Sequence, residues 1–193
     1  MSSAREQIIE ATCQLIEVQG YHATGLNQII SESGSPKGSL YYYFPGGKEE
    51  LVTEAIRHTG EALKNHIQAQ LALKDDPAEA IADFMKQIAL NVEKEAYQTG
   101  GPITSVAMES IATSETLRSV CNEVYQSCQA VFAEKLMMSG LPPDQAASLG
   151  VLIVSSIEGA VILCRTSQSP EPLNSVADHL AEWIKVLIQA QTH

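Results

Sequence analysis

Residues 24–44 read TGLNQIISESGSPKGSLYYYF, and the rest of the chain is best read outward from them. Thr24 stands where a helix N-cap is expected, ahead of Leu26, Ile29 and Ile30 at helical spacing. Gly34 ends that short helix. Ser35-Pro36 opens another, with Ser as cap and Pro at the first helical position, where its missing N–H costs nothing. That helix carries Ser39 to Phe44 and is broken by Pro45-Gly46-Gly47. Two short helices joined by a tight glycine turn are the outline of a helix-turn-helix. Such a unit lays its second helix in the DNA major groove, N-terminus first. Ser35, Pro36, Lys37, Gly38 and Ser39 would lead it there. Open N–H groups and the Lys37 charge favour phosphate. Gly38, with no side chain, permits close approach of a DNA backbone or base edge. Tyr41, Tyr42 and Tyr43 point in three directions and cannot all be core. A packed three-helix unit with surface-bonded tyrosines has the same local pattern, so periodicity by itself leaves both readings open.

Outward from this stretch, nearly every segment has helical period. Upstream, Ile8, Ala11, Thr12, Leu15 and Ile16 make one apolar stripe that Gly20 stops. Downstream, helices are expected from about Lys48 to Leu73, and from a cap at Asp76-Pro77-Ala78-Glu79 to about Tyr97. After a break at Gly100-Gly101-Pro102, others fit Ile103 to Ile111 and Glu115 to Ser139. Leu117, Val120, Cys121, Val124, Cys128, Val131 and Phe132 share one side of the latter. Asp144 to Arg165 and Leu173 to about Gln191 are the last two. No run alternates as a strand does, so the fold class is all-α with about nine helices. Residues 146–164, AASLGVLIVSSIEGAVILC, approach the length of a membrane span. Glu158 in their midst, and the absence of flanking aromatic or basic anchors, favour a buried helix at a subunit interface. Leu180, Trp183, Ile184, Leu187 and Ile188 are its expected packing partners.

The chain has 193 residues, enough for a core without staples. Its N-terminus has no basic segment followed by an apolar one, so an intracellular, cytoplasmic protein is expected. Cys13, Cys121, Cys128 and Cys164 form no CxxC pair and are read as reduced, buried thiols. Cys121 and Cys128, seven apart, could share a helix face. His58 with Glu61 and His179 with Glu182 lack a third ligand nearby. With His22, His66 and His193 they are read as surface histidines. No nucleophile elbow, phosphate loop or dinucleotide fingerprint occurs. No catalytic residue, metal or cofactor is therefore expected. The net charge of −11 opposes nucleic acid. It is unevenly spread: residues 1–57 hold four bases and seven acids (−3), the remainder eight and 16 (−8). Ser33 to Lys48 contains no carboxylate at all. Salt screens the distant acids beyond about 8 Å, so this window can act locally.

The segment GYHATGLNQIISESGSPKGSLYYYFPGGKEELVTEAI resembles the DNA-binding region of the TetR family of bacterial repressors, over about Arg5 to Ile56. Its most specific part is Lys37 to Phe44, KGSLYYYF, followed by Lys48-Glu49-Glu50-Leu51. Ser35-Pro36 replaces a more usual Val-Ser, and Pro45-Gly46-Gly47 is one residue longer than the usual link. With Gly101-Pro102-Ile103 and Ser105-Val106-Ala107-Met108-Glu109, these features are similar to the subgroup of the lincomycin-resistance repressor and related flavonoid-responsive repressors. The resemblance implies a helix-turn-helix DNA-binding domain over residues 1–47 and a ligand-binding and dimerisation domain over 48–193. It matches Thr24 to a phosphate-contacting cap, and Ser35 lies in the turn. Lys37 and Gly38 match positions facing base edges or backbone, and Ser39 one that varies with operator. Tyr41 and Tyr42 match groove or phosphate contacts. Tyr43 stands where many members have His, and Lys48 matches a phosphate contact. Leu40, Phe44, Leu26, Ile29 and Ile30 are core.

The implied partners are a double-stranded DNA operator, a small-molecule inducer and a second copy held through the last two helices, with no membrane. Phe84, Met108, Tyr125 and Phe132 are candidate walls of a ligand cavity, and Glu109 and Glu158 its candidate polar anchors. The same residues could be ordinary core, and Glu158 could pair at the dimer interface. The expected function is a dimeric repressor released from a palindromic operator by a small hydrophobic or aromatic ligand. The alternative is a small-molecule-binding helical bundle, a carrier or adaptor without DNA function. It rests on the acidic charge and the apolar C-terminal half.

Overall fold

The computed structural model describes residues 3–97, 101–110 and 112–191. The expected break at Gly100, the end of the sixth helix at Ile111 and His193 lie outside the described residues. Those described form nine α-helices and no strand: α1 (Ala4–Gln19), α2 (Leu26–Ser33), α3 (Lys37–Tyr43), α4 (Lys48–Leu71), α5 (Pro77–Lys94), α6 (Pro102–Ser110), α7 (Glu115–Met137), α8 (Pro143–Ser167) and α9 (Glu171–Gln191). Packing groups residues 1–62 with 100–124 in one compact unit, and 63–99 with 125–193 in another. The division by packing therefore falls within α4 and α7, whereas the sequence reading divides the chain after residue 47.

The first unit is built on the α1 stripe. Ser3 caps α1, accepting from the Glu6 amide while the Glu6 carboxylate takes the Ser3 amide. Gly20 ends it with φ +84°, a left-handed conformation suited to glycine. Ile8, Ile9, Ile29, Leu40, Phe44, Leu51 and Ala55 form a buried cluster, with Leu26 and Ile30 partly buried beside it. Leu40 and Phe44 lie one helical turn apart, so α3 fastens to α1 and α4 along one edge and leaves the other outside. The Arg5 guanidinium stands 5.6 Å from the Phe44 ring centroid and pairs with Glu54 at 2.7 Å.

In the second unit α5 packs on α8 and α9, and α8 on α9. Asp76 caps α5 by accepting from the Ala78 and Glu79 amides. A Cβ on Gly150 would stand 2.5 Å from the Gln129 carbonyl oxygen, so glycine lets α8 approach α7 there. Within the single chain α8 is covered along one stripe only. Leu149, Ile153, Ala160 and Cys164 are buried, but Val151, Ile162 and Leu163 are about half exposed. Only one stripe of a helix can face its neighbours, and the apolar remainder of α8 is uncovered in the single chain. Trp183 is likewise 47% exposed, while Leu180 and Ile184 pack. Cys121, Cys128 and Cys164 are buried and Cys13 half-buried, all free. Burial pushes the Cys121 thiol up to about 11 and raises that of Cys128, which keeps both in the unreactive thiol form.

Candidate nucleic-acid interface

The outer face of α3 is uncommonly open for a helix so firmly anchored. Lys37 and Gly38 are exposed and Ser39 is half-buried, while Leu40 is sealed inside. Tyr42 is the most exposed tyrosine of the three at 79%, with Tyr41 at 48% and Tyr43 at 38%. The Tyr42 and Tyr43 rings meet edge to face with centroids 5.0 Å apart. All three phenols thus reach the surface. No carboxylate belongs to α3 or its flanking turns between Ser33 and Lys48.

Two sequence assignments change, those of Thr24 and Ser35, and Lys48 is found tied to the turn between α1 and α2. Thr24 is fully buried, and its hydroxyl donates to the Gly20 carbonyl at 2.7 Å. The N-cap of α2 is Gly25, with no side-chain cap bond. Thr24 has turned inward to satisfy a carbonyl left open at the end of α1, so it is not the cap of α2. Ser35 is 6% exposed and its hydroxyl donates to the Ala4 carbonyl at 3.5 Å. Pro36 is the N-cap of α3, again without a side-chain bond. Ser35 therefore ties the turn to α1 instead of capping α3. Lys48 is half-buried at the start of α4, its ammonium donating to the Tyr21 carbonyl at 2.6 Å and lying 4.3 Å from the Tyr21 ring centroid. Burial lowers its pKa, opposed by the Glu109 carboxylate.

The candidate ligand residues are divided between the two units. Met108 and Glu109 belong to the first unit with α6. Met108 is 78% exposed. Glu109 accepts the His22 amide at 2.7 Å through Oε2, so it is engaged within the first unit. Phe84 and Phe132 are buried against each other, centroids 5.8 Å apart, with His66 beside Phe84. They are core in this state. Tyr125 and Glu158 are half-buried. An open cleft of about 530 Å³ lies on α8 and α9, lined by Ser156, Ser175, Val176, His179, Leu180 and Trp183. Among the described residues no three His, Cys, Asp or Glu side chains gather as a metal site.

Comparison with known proteins bears on the same two regions. Residues 8–55 match the family described as bacterial regulatory proteins, tetR family, and residues 77–179 match the C-terminal domain of LmrA/YxaF-like transcriptional regulators. The chain belongs to the TetR family of transcriptional regulators. It is 45% identical to the HTH-type transcriptional regulator YxaF of Bacillus subtilis (strain 168) over 92% of this chain and 93% of that protein. It is 37% identical to the HTH-type transcriptional regulator LmrA of the same organism, over 94% and 97%. The crystal structure of reduced E. coli NemR has the same fold, with TM-score 0.81 at 22% identity over 93% of this chain and 96% of that one. The family and the two B. subtilis relatives are transcriptional regulators by description, not enzymes.

Within this TetR-type head, sequence reasoning passed over Arg5, which braces Phe44, and the Gly20–His22 turn with its partner Glu109. The signal for the turn was present in Gly20, read only as a helix stop. Gly38 offers a clean test of the exposed face. A Cβ there would meet nothing within 4 Å in the chain itself, and alanine is favoured over glycine in a helix by up to about 1 kcal/mol. Gly38→Ala is expected to melt no lower than the parent, yet to weaken specific DNA binding by about 1–3 kcal/mol, the scale of one spoiled base-pair contact. Thermal melts beside DNA titrations check this; unchanged affinity would remove Gly38 from the interface.

Proposed function

We propose that this TetR-family regulator is a dimeric repressor, released from a palindromic operator by a small hydrophobic or aromatic ligand. The observation that carries the DNA half is the outward face of α3: Lys37, Gly38, Tyr41, Tyr42 and Tyr43 stand open, with Ser39 half-buried among them, while Leu40 and Phe44 hold the helix from behind. Lys37 supplies charge, the tyrosyl hydroxyls donate to phosphate or base edges, and Lys48 supports them from α4. In function, residues 1–47 read DNA and 48–193 bind ligand and dimerise. Two copies related by a two-fold axis present two α3 helices to two half-sites, which makes the operator a palindrome. The uncovered apolar side chains of α8 and α9, Val151, Ile162, Leu163, Trp183 and Val186, support a second copy as their cover rather than a membrane. Relatives that regulate bacterial genes support a bacterial cytoplasmic location.

The ligand reading is supported by the family, whose regulators bind small molecules, and by the aromatic core of the second unit. A ligand there must part Phe84 from Phe132, with Tyr125 and Glu158 as polar contacts. It would weaken operator binding only by preferring that parted state to the one competent for DNA.

The test is a gel-shift titration on DNA upstream of the chain's own gene, in a salt series with unrelated competitor. Two heads bring two Lys37 ammonium groups, or four cations if Lys48 also reaches phosphate. The slope of log affinity on log salt is then about −2 to −4, shallower than the about −10 of strongly cationic repressors. Specific binding with that slope is the expected result. A folded dimer that selects no sequence from a genomic fragment library would sink the repressor reading.

A further inference from the structure

The turn between α1 and α2 carries a feature that neither the α3 face nor the ligand reading uses. Tyr21 and His22 share one peptide group. Its N–H, on His22, donates to Glu109 Oε2 at 2.7 Å. Its C=O, on Tyr21, accepts from Lys48 Nζ at 2.6 Å. A carboxylate from α6 and an ammonium from α4 thus grip the two ends of a single peptide dipole, each reinforcing the hydrogen bond made by the other. The same Tyr21 carbonyl also accepts the Thr24 amide at 3.3 Å, one residue before the N-cap Gly25 of α2. The His22 ring adds a second tie, with Nε2 3.1 Å from the Glu109 carbonyl oxygen, one of the last four that the α6 helix leaves open. Gly20 completes the fit: a Cβ at that position would collide with Glu109 Oε1, and its φ of +84° disfavours any side chain. The ammonium also lies over the Tyr21 ring at 4.3 Å.

We propose that Glu109 is a positioning residue for DNA binding. With Lys48 it clamps the peptide between Tyr21 and His22, which sets both the entry of the chain into α2 and the place from which Lys48 meets a phosphate. Without the carboxylate the N–H end is released, the peptide can rotate, and the carbonyl no longer holds Lys48 or the Thr24 amide in register. Glu109 touches no DNA in this arrangement; it acts through the peptide it holds. The inference rests on the repressor reading, and it assigns to Glu109 a task distinct from that of the anchor in a ligand cavity.

The test is a double-mutant cycle on the full-length dimer with Glu109→Ala, Lys48→Met and the pair, using a DNA fragment selected from a genomic library by the parent protein. Glu109→Gln is the control that keeps an oxygen acceptor for the His22 amide. Glu109→Ala is expected to weaken binding about tenfold or more, with the active fraction unchanged by stoichiometric titration. Glu109→Gln should stay within about threefold of the parent. The double variant should lose little beyond the worse single variant, because the two side chains act on one group. Additive losses, or an Ala variant that binds like the parent, would overturn the proposal. So would an affinity loss in both the Ala and Gln variants that merely follows a falling melting temperature. If the parent selects no sequence at all, the repressor reading fails first and this inference with it.

Discussion

Replacing Lys37 and Tyr42 together with alanine is expected to abolish specific operator binding while leaving the fold and the dimer intact. Both side chains project from α3, and Tyr42 is 79% exposed. Neither belongs to the buried cluster of Ile8, Ile29, Leu40, Phe44 and Leu51. A good base-edge contact contributes about 1–3 kcal/mol of discrimination. The two residues act in each of two heads, so the double variant forfeits about 4 kcal/mol or more, a factor of about a thousand. The stability cost is confined to the Tyr42–Tyr43 edge-to-face pair, about 1 kcal/mol at most for exposed rings. DNA titration, a circular dichroism melt and sedimentation together check the three parts of this expectation. Specific binding retained within tenfold would defeat the assignment of α3's outer face, whatever the stability of the variant.

Phe44→Ala is expected to do the reverse on the same short stretch of chain. Phe44 is 1% exposed, immediately follows α3 and lies under the Arg5 guanidinium. Truncating a buried aromatic ring removes about 3–5 kcal/mol through lost transfer energy and the cavity left behind. That is a large share of the about 5–15 kcal/mol that holds a domain together. The first unit should then unfold at markedly lower denaturant, and DNA binding should fall because the folded head is scarce, not because a contact is missing. Saturating DNA would recover part of the stability by mass action. A denaturant titration followed by tryptophan-independent signals, such as far-ultraviolet dichroism, reads the shift. Parent-like stability would show that α3 is not anchored through this ring. The contrast between the two variants, affinity without stability and stability before affinity, separates the two edges of α3.

Much of this architecture is written in local spacing. Ile8, Ala11, Thr12 and Ile16 recur at helical intervals and all are buried. The α7 stripe from Leu117 to Phe132 is buried as its period requires. Asp76 ahead of Pro77 caps α5 as read. These features depend on residues within a turn or two of one another, and an apolar stripe has only one favourable place to go. The family likewise shows in the short run from Lys37 to Phe44 together with the matched C-terminal region.

What spacing could not decide was which polar group each polar side chain would claim. Thr24 looked like a cap because Thr before an apolar run usually is one; the Gly20 carbonyl took its hydroxyl instead. Ser35 was claimed by the Ala4 carbonyl, 31 residues away. Glu109 looked like a buried anchor for a ligand because its neighbours in sequence are apolar, and it found the His22 amide 87 residues away. Phe84 and Phe132 were legible as apolar and aromatic, but their closing on one another is a property of α5 and α7 brought side by side. The exposed half of α8 was hidden for the same reason, since a helix apolar all round carries no mark of which stripe its neighbours will cover. The sequence by itself determined the approximate extent of each helix and which stripe of each amphipathic helix turns inward, because those follow from backbone period and apolar burial. Only the tertiary structure decided the pairing of Glu109 and Lys48 across one peptide, because a buried or half-buried polar atom takes whichever partner folding brings within hydrogen-bond reach.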